Sequence, residues 1–154
     1  MKSEIRKLAI EQIDRKLSEV RPLMNLVVPA RGWIHAIRSS LGMSLRQLAS
    51  RLGISPQSVG ELEAREADGT ITMKRLREAA EALDLQLVYF VIPREQSLEG
   101  MIEQRAAQVA RSIVARTART MELEDQQVSD ERIEKAVKIK TEEMIRTMPR
   151  YLWD

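Results

Sequence analysis

Apolar residues along this chain recur mainly at three- and four-residue spacing, the period of amphipathic helices. In residues 3–21 they fall at Ile5, Leu8, Ala9, Ile13, Leu17 and Val20, and Pro22 ends the run. This face has no core of its own and must pack on the rest of the chain or on a partner. Residues 23–31 hold Pro29 between Pro22 and Gly32 and read as a linker, with Leu26, Val27 and Val28 as a candidate short strand. From Gly32 to Asp84 the pattern tightens into four or five short helices with chemically specified connections. The first covers about residues 33–41 and stops at Gly42. Ser44 caps the second, Gln47 completes a capping box three residues later, and Gly53 ends it. Ser55 caps the third, Pro56 occupies its first turn where no N–H is needed, and Asp68-Gly69 closes it. Thr72 caps a fourth over about residues 73–83.

The period then changes. Residues 85–93, LQLVYFVIP, are β-branched and aromatic and predict a strand. A lone strand leaves its ladder groups unpaired. Either residues 26–28 or the same strand of a second subunit must join it, and a two-fold pairing suits a dimer. Residues 97–124 return to helical spacing at Leu98, Met101, Ile102, Val109 and Ile113. A break is expected near Gln127-Val128, and Ser129 caps a last helix bearing Ile133, Val137 and Met144. Pro149 ends it, and Trp153 in the following Tyr-Leu-Trp is expected to dock on its own domain or in a partner groove.

The expected fold is mainly α: a helix-turn-helix bundle over residues 31–84, preceded by an N-terminal helix and linker over 1–30. A strand over 85–93 serves as a possible dimerisation element, and a helical extension follows over 94–154. Composition agrees. Aromatics are only 3% of the chain while 44% is hydrophobic, so the core must be aliphatic, which suits helix-on-helix packing. With no cysteine and one histidine, His35, disulfides, thiolate metal sites and nucleophilic triads lack their parts. His35 reads as a packing or surface residue. No cofactor, no enzymatic activity and no membrane span are expected, and the charged N-terminus is unlike an export signal. A cytoplasmic protein is the plain expectation.

Charge is unevenly placed. Residues 1–94 carry 15 Lys/Arg against 11 Asp/Glu, and residues 95–154 carry 10 against 12. The basic excess coincides with the helix-turn-helix pattern, as a phosphate-facing surface requires, though a solvated surface would also allow it. In that pattern Leu48, Leu52, Ile54, Val59 and Leu62 plug the space between helices, Ala49 allows a close crossing and Gly53 the turn. Pro56, Gln57, Gly60 and Glu61 are left facing outward to meet bases. Gln57 is the best reader, since its amide can pair with adenine in bidentate fashion, and Glu61 could accept from cytosine or stay solvated. Ser44, Arg46, Ser55, Ser58, Thr70, Thr72 and Lys74 sit where backbone phosphates would lie.

The run IRSSLGMSLRQLASRLGISPQSVGELE resembles the lambda-repressor-like, Cro-repressor (XRE-type) DNA-binding family. It matches in the Arg before a Gly, the capping Ser, Leu-Ala, Gly, Ser and Val-x-x-Leu-Glu. The resemblance implies double-stranded operator DNA as partner, a homodimer, and a structural ion pair between Arg38 and Glu63. It places base reading on Pro56, Gln57, Gly60 and Glu61. Pro56 and Gly60 depart from it, since neither offers a hydrogen-bonding side chain. A wider resemblance, through EQIDRKL, PARGWIHAIRSSLGMS, EADGTITMKRLREAAEALDLQLVYFVIPR, ARTMELEDQ and a terminal Leu-Trp-Asp, is to the mobile mystery protein A family. It implies an antitoxin-like regulator encoded beside a Fic-domain protein. The inhibitory Ser/Thr-x-x-x-Glu-Gly/Asn motif of Fic systems is not in the chain: Glu99 precedes Gly100, but Glu95 stands four residues before it. The alternative reading is an interaction module that neutralises a toxin-like partner through its C-terminal helices.

Overall fold

The computed structural model describes residues 2–124 and 129–154. Among them the chain is mainly helical, with α1 (Lys2–Val20), α2 (Trp33–Ser40), α3 (Leu45–Leu52), α4 (Pro56–Asp68), α5 (Met73–Ala82), α6 (Leu98–Leu123) and α7 (Asp130–Thr147). Two single 3-10 turns, Arg21–Asn25 and Arg150–Trp153, follow α1 and α7. The expected break near Gln127-Val128 lies outside the described residues. The chain divides into two compact units, residues 25–90 and residues 1–24 with 91–154.

The 25–90 unit holds α2 to α5. Its helix boundaries follow from the caps. Ser44 accepts from the Gln47 N–H at 3.2 Å while the Gln47 side chain accepts from the Ser44 N–H at 2.8 Å, the reciprocal capping box. Ser55 accepts from the Ser58 N–H and Thr72 from the Arg75 N–H. Gly53 ends α3 with φ +66°, a left-handed value that an L side chain resists, so the chain turns sharply into α4. Leu48, Ala49, Val59 and Leu62 meet Ile34 and Ala79 in a closed aliphatic core. At Arg51 the guanidinium donates to the Ala82 carbonyl at 3.0 Å and reaches Asp84 at 3.3 Å. It thereby holds the C-terminal end of α5, where carbonyls lack helical partners.

No strand forms over residues 85–93 within the single chain. Leu26, Val27 and Val28 remain exposed and unpaired, so the run has no ladder to join. Val88, Tyr89 and Val91 are 61%, 67% and 81% exposed in consequence.

The other unit is built on α6 and α7. Ala106 and Ala110 are fully buried on α6, and their small side chains allow close approach to Met144 of α7. Ile10 of α1 packs on the same cluster. The carboxylate of Asp14 accepts from the Leu98 N–H at 2.7 Å and the Glu99 N–H at 3.1 Å, so α1 caps the start of α6. Arg21 donates to the Gln96 carbonyl at 3.0 Å beside it. Of the terminal Tyr-Leu-Trp run, Leu152 rather than Trp153 is the residue fully docked on its own unit; Trp153 is 55% exposed, which leaves the partner-groove alternative open. The 3-10 turn points one side chain of the Tyr-Leu-Trp run inward, and Arg105 fastens it by donating to the Leu152 carbonyl at 2.6 Å and to the Asp154 carbonyl.

Candidate nucleic-acid interface

The inner face of α4 explains what its outer face can do. Val59, Leu62 and Glu63 are buried, and Gln57 and Glu61 lie on the opposite side of the helix. Pro56, Gln57 and Glu61 are exposed and Gly60 is half-exposed. Gln57 donates weakly to Glu61 at 3.4 Å, one turn on. That bond uses one of the two hydrogens on the amide nitrogen. The other hydrogen and the amide oxygen remain for an outside group, which is the donor–acceptor pair an adenine edge needs.

A buried polar triad fixes α4 beneath this face. Arg38 of α2 donates from Nε to Glu63 at 2.5 Å, from Nη2 to the same carboxylate at 3.1 Å, and from Nη1 to the Met43 carbonyl at 2.7 Å. His35 places Nδ1 2.9 Å from Glu63 and 3.3 Å from Arg38 Nη2. One ring nitrogen cannot both donate to a carboxylate and accept from a guanidinium. The shorter contact, to Glu63, requires the proton on Nδ1. Burial pushes the Glu63 carboxyl up, yet the hydrogen bonds and charge from Arg38 and His35 outweigh it and hold the group below its ordinary value of 4.5. The Glu63 hydrogen bond raises the Arg38 pKa against the opposing effect of burial. Both residues are therefore buried scaffold.

The phosphate candidates fall at three helix starts. Ser44 and Arg46 are exposed at the start of α3, Ser55 at the start of α4, and Thr72 and Lys74 at the start of α5, with Ser58 half-buried in α4. The cap hydroxyls of Ser44 and Thr72 accept backbone N–H bonds and keep a hydrogen for an outside acceptor. Ser55 and Ser58 hydroxyls bond to each other at 2.8 Å, so one hydroxyl hydrogen of the pair is left. Thr70 differs: its hydroxyl donates to Asp68 at 2.5 Å and holds that carboxyl below the usual range. It has no hydrogen left to give a phosphate.

Ser58, Glu61, Thr70 and Thr72 line a crevice of about 300 Å³ together with Arg65 and Arg75. Sequence reasoning missed both arginines. Arg75 is tied to Glu78 at 2.9 Å, and Arg65 gives the crevice a second cation. The available signal was the i+3 step from Thr72 to Arg75, which puts a cation beside the cap. His35 was also missed as a partner of Glu63, although its i,i+3 spacing to Arg38 set them on one face. A further unforeseen contact is that of Glu66, whose carboxylate accepts from the Trp33 and Ile34 N–H groups at 2.8 and 3.0 Å. It caps α2, where Gly32 offers no side chain. Among the described residues no group of three or more His, Cys, Asp or Glu side chains is placed to hold a metal ion. Among them also, no helix is long and apolar enough to cross a membrane.

Residues 34–90 match the family model described as helix-turn-helix, which covers α2 to α5 and the segment after them. No curated protein and no solved structure matches the chain. The match supports a helix-turn-helix DNA-binding domain over those residues.

Proposed function

Because residues 34–90 carry a helix-turn-helix domain, we propose that this chain is a sequence-specific transcriptional repressor of its own operon that binds operator DNA as a homodimer. The observation that carries the reading is the outer face of α4: Gln57 with a free donor–acceptor edge, beside a row of helix-cap hydroxyls and arginines. In this reading Gln57 and Glu61 contact bases, and Pro56 and Gly60 lie against them. Ser44, Arg46, Ser55, Ser58, Thr72 and Lys74 follow the phosphates. Arg65 and Arg75 join that path, and Thr70 shapes it through Asp68. Two-fold pairing of residues 85–93 would cover the exposed Val88, Tyr89 and Val91 and satisfy their backbone groups.

The test is selection of duplexes from a random library by the full-length protein, followed by affinity and sedimentation measurements. Specific affinity is expected to fall steeply with salt, and the complex to hold two protomers on a palindrome. Gln57→Ala is expected to lose about 5- to 150-fold in specific affinity, the range for one bidentate base contact, with non-specific affinity unchanged. Equal affinity for all duplexes, or salt-independent binding, would overturn the reading.

The finer role is that of an antitoxin-like partner of a Fic-domain protein. It rests on the resemblance to the mobile mystery protein A family and on the presence of a second unit, α1 with α6 and α7, beyond the helix-turn-helix. The alternative weight, with partner neutralisation as the main task, uses the same helices. Co-expression with the neighbouring gene product is expected to yield a co-purifying pair that survives the loss of specific DNA affinity in Gln57→Ala. Failure of a Fic-domain protein to co-purify would remove this role and leave the repressor reading standing.

A further inference from the structure

Gly60 is the residue of α4 that the fold does not explain. It lies mid-helix, outside the set of glycines with positive φ. A Cβ placed on it meets no heavy atom within 4 Å. Alanine would therefore fit, and a glycine inside a helix weakens it relative to alanine through greater backbone entropy in the unfolded chain. Nothing inside the protein requires the missing side chain. A requirement for glycine here comes from outside the chain.

Resting on the DNA-reading role of α4, we infer that Gly60 is a notch that admits a thymine methyl of the operator against the helix backbone. The neighbours of Gly60 on the helix surface stand three and four positions away. Pro56 and Ala64 lie one turn on either side and are exposed, and neither offers a side-chain donor or acceptor. Gln57 forms the polar edge of the notch. A base edge pressed into such a surface loses water without gaining a hydrogen bond, which is unfavourable for every N or O atom of the major groove. The thymine C5-methyl is the apolar group there and is the exception. Its burial against Cα and the Pro56 ring gains contact and loses no hydrogen bond. The adjacent Gln57 amide reads an adenine edge, so the favoured half-site carries a thymine next to that adenine.

The test uses the full-length protein and the duplexes it selects from a random library. Each thymine of the selected half-site is replaced in turn by uracil, which removes only the methyl group. One position is expected to lose about fourfold in wild-type affinity, the effect of one buried methyl-sized group. Gly60→Ala is expected to bind the thymine duplex at least about tenfold more weakly, as for a mismatched base pair. On the uracil duplex the variant is expected to regain most of that loss, because its methyl fills the vacated space. Its thermal stability should equal or exceed that of the wild type, which excludes misfolding as the cause. Wild-type selection of a clear motif with no uracil-sensitive thymine overturns the notch alone. So does Gly60→Ala binding as tightly as wild type, or losing equally on both duplexes. Selection of no motif overturns the DNA-reading role itself, and the notch with it.

Discussion

Arg38→Met is expected to destabilise the 25–90 unit by about 3–5 kcal/mol, the cost of leaving a buried charge without its partner. The methionine preserves most of the packed volume but removes three hydrogen bonds at once, two to Glu63 and one to the Met43 carbonyl. Glu63, only 5% exposed, then keeps His35 alone. The double replacement Arg38→Met with Glu63→Leu should recover most of the loss, because removing both charges removes the desolvation penalty as well. Urea melts of the four proteins make a double-mutant cycle, and near-additive losses would show that the pair is not coupled. The pH dependence has a definite sign. The folded-state pKa of Glu63 lies below its unfolded value, so its contribution is complete above about the ordinary 4.5 and is lost as pH falls through the depressed value. Wild type should therefore lose stability on acidification below that point, and the double variant should lose less.

Gly32→Ala is expected to cost about 3 kcal/mol or more, combining backbone strain of roughly 1–3 kcal/mol with loss of a charged helix cap. Gly32 has φ 84° and ψ 164°, a region essentially closed to side chains. A Cβ there would also stand 2.7 Å from both Cδ and Oε2 of Glu66, so the carboxylate must leave the Trp33 and Ile34 N–H groups. Glu66→Ala alone should cost about 1 kcal/mol, the usual effect of removing a cap. Adding Gly32→Ala to Glu66→Ala should then cost less than it does in wild type, since the clash is already gone. Equal effects in both backgrounds, read from denaturation midpoints, would mean that Glu66 and Gly32 do not meet.

Gly32 and Glu66 also mark where sequence reasoning stops. Ser44 with Gln47, Ser55 with Pro56, Thr72 and Gly53 were legible because a cap or turn acts on backbone groups within a few residues. The spans of α3 and α4 and the outward set on α4 followed from these and from the apolar spacing. Glu66 lies 32 and 33 residues from the N–H groups it caps, and Asp14 lies 84 and 85 from those at the start of α6. Neither carboxylate differs, in sequence, from a solvated surface charge. Arg51 reads in sequence as an ordinary exposed helical arginine, and only the end of α5 beside it supplies its partner. The terminal apolar run announced that something would dock, and the 3-10 turn selected Leu152 over Trp153.

The sequence by itself therefore determined the helix-turn-helix and the residues that α4 turns outward, because those depend on local periodicity, caps and a left-handed glycine. Tertiary structure alone decided which distant carboxylates hold helix ends, which hydroxyls keep a free hydrogen, and that Gly60 has nothing of its own fold to accommodate. Each of these depends on which groups meet across space, and backbone N–H groups and charges are satisfied by whichever partner the packed helices bring within reach.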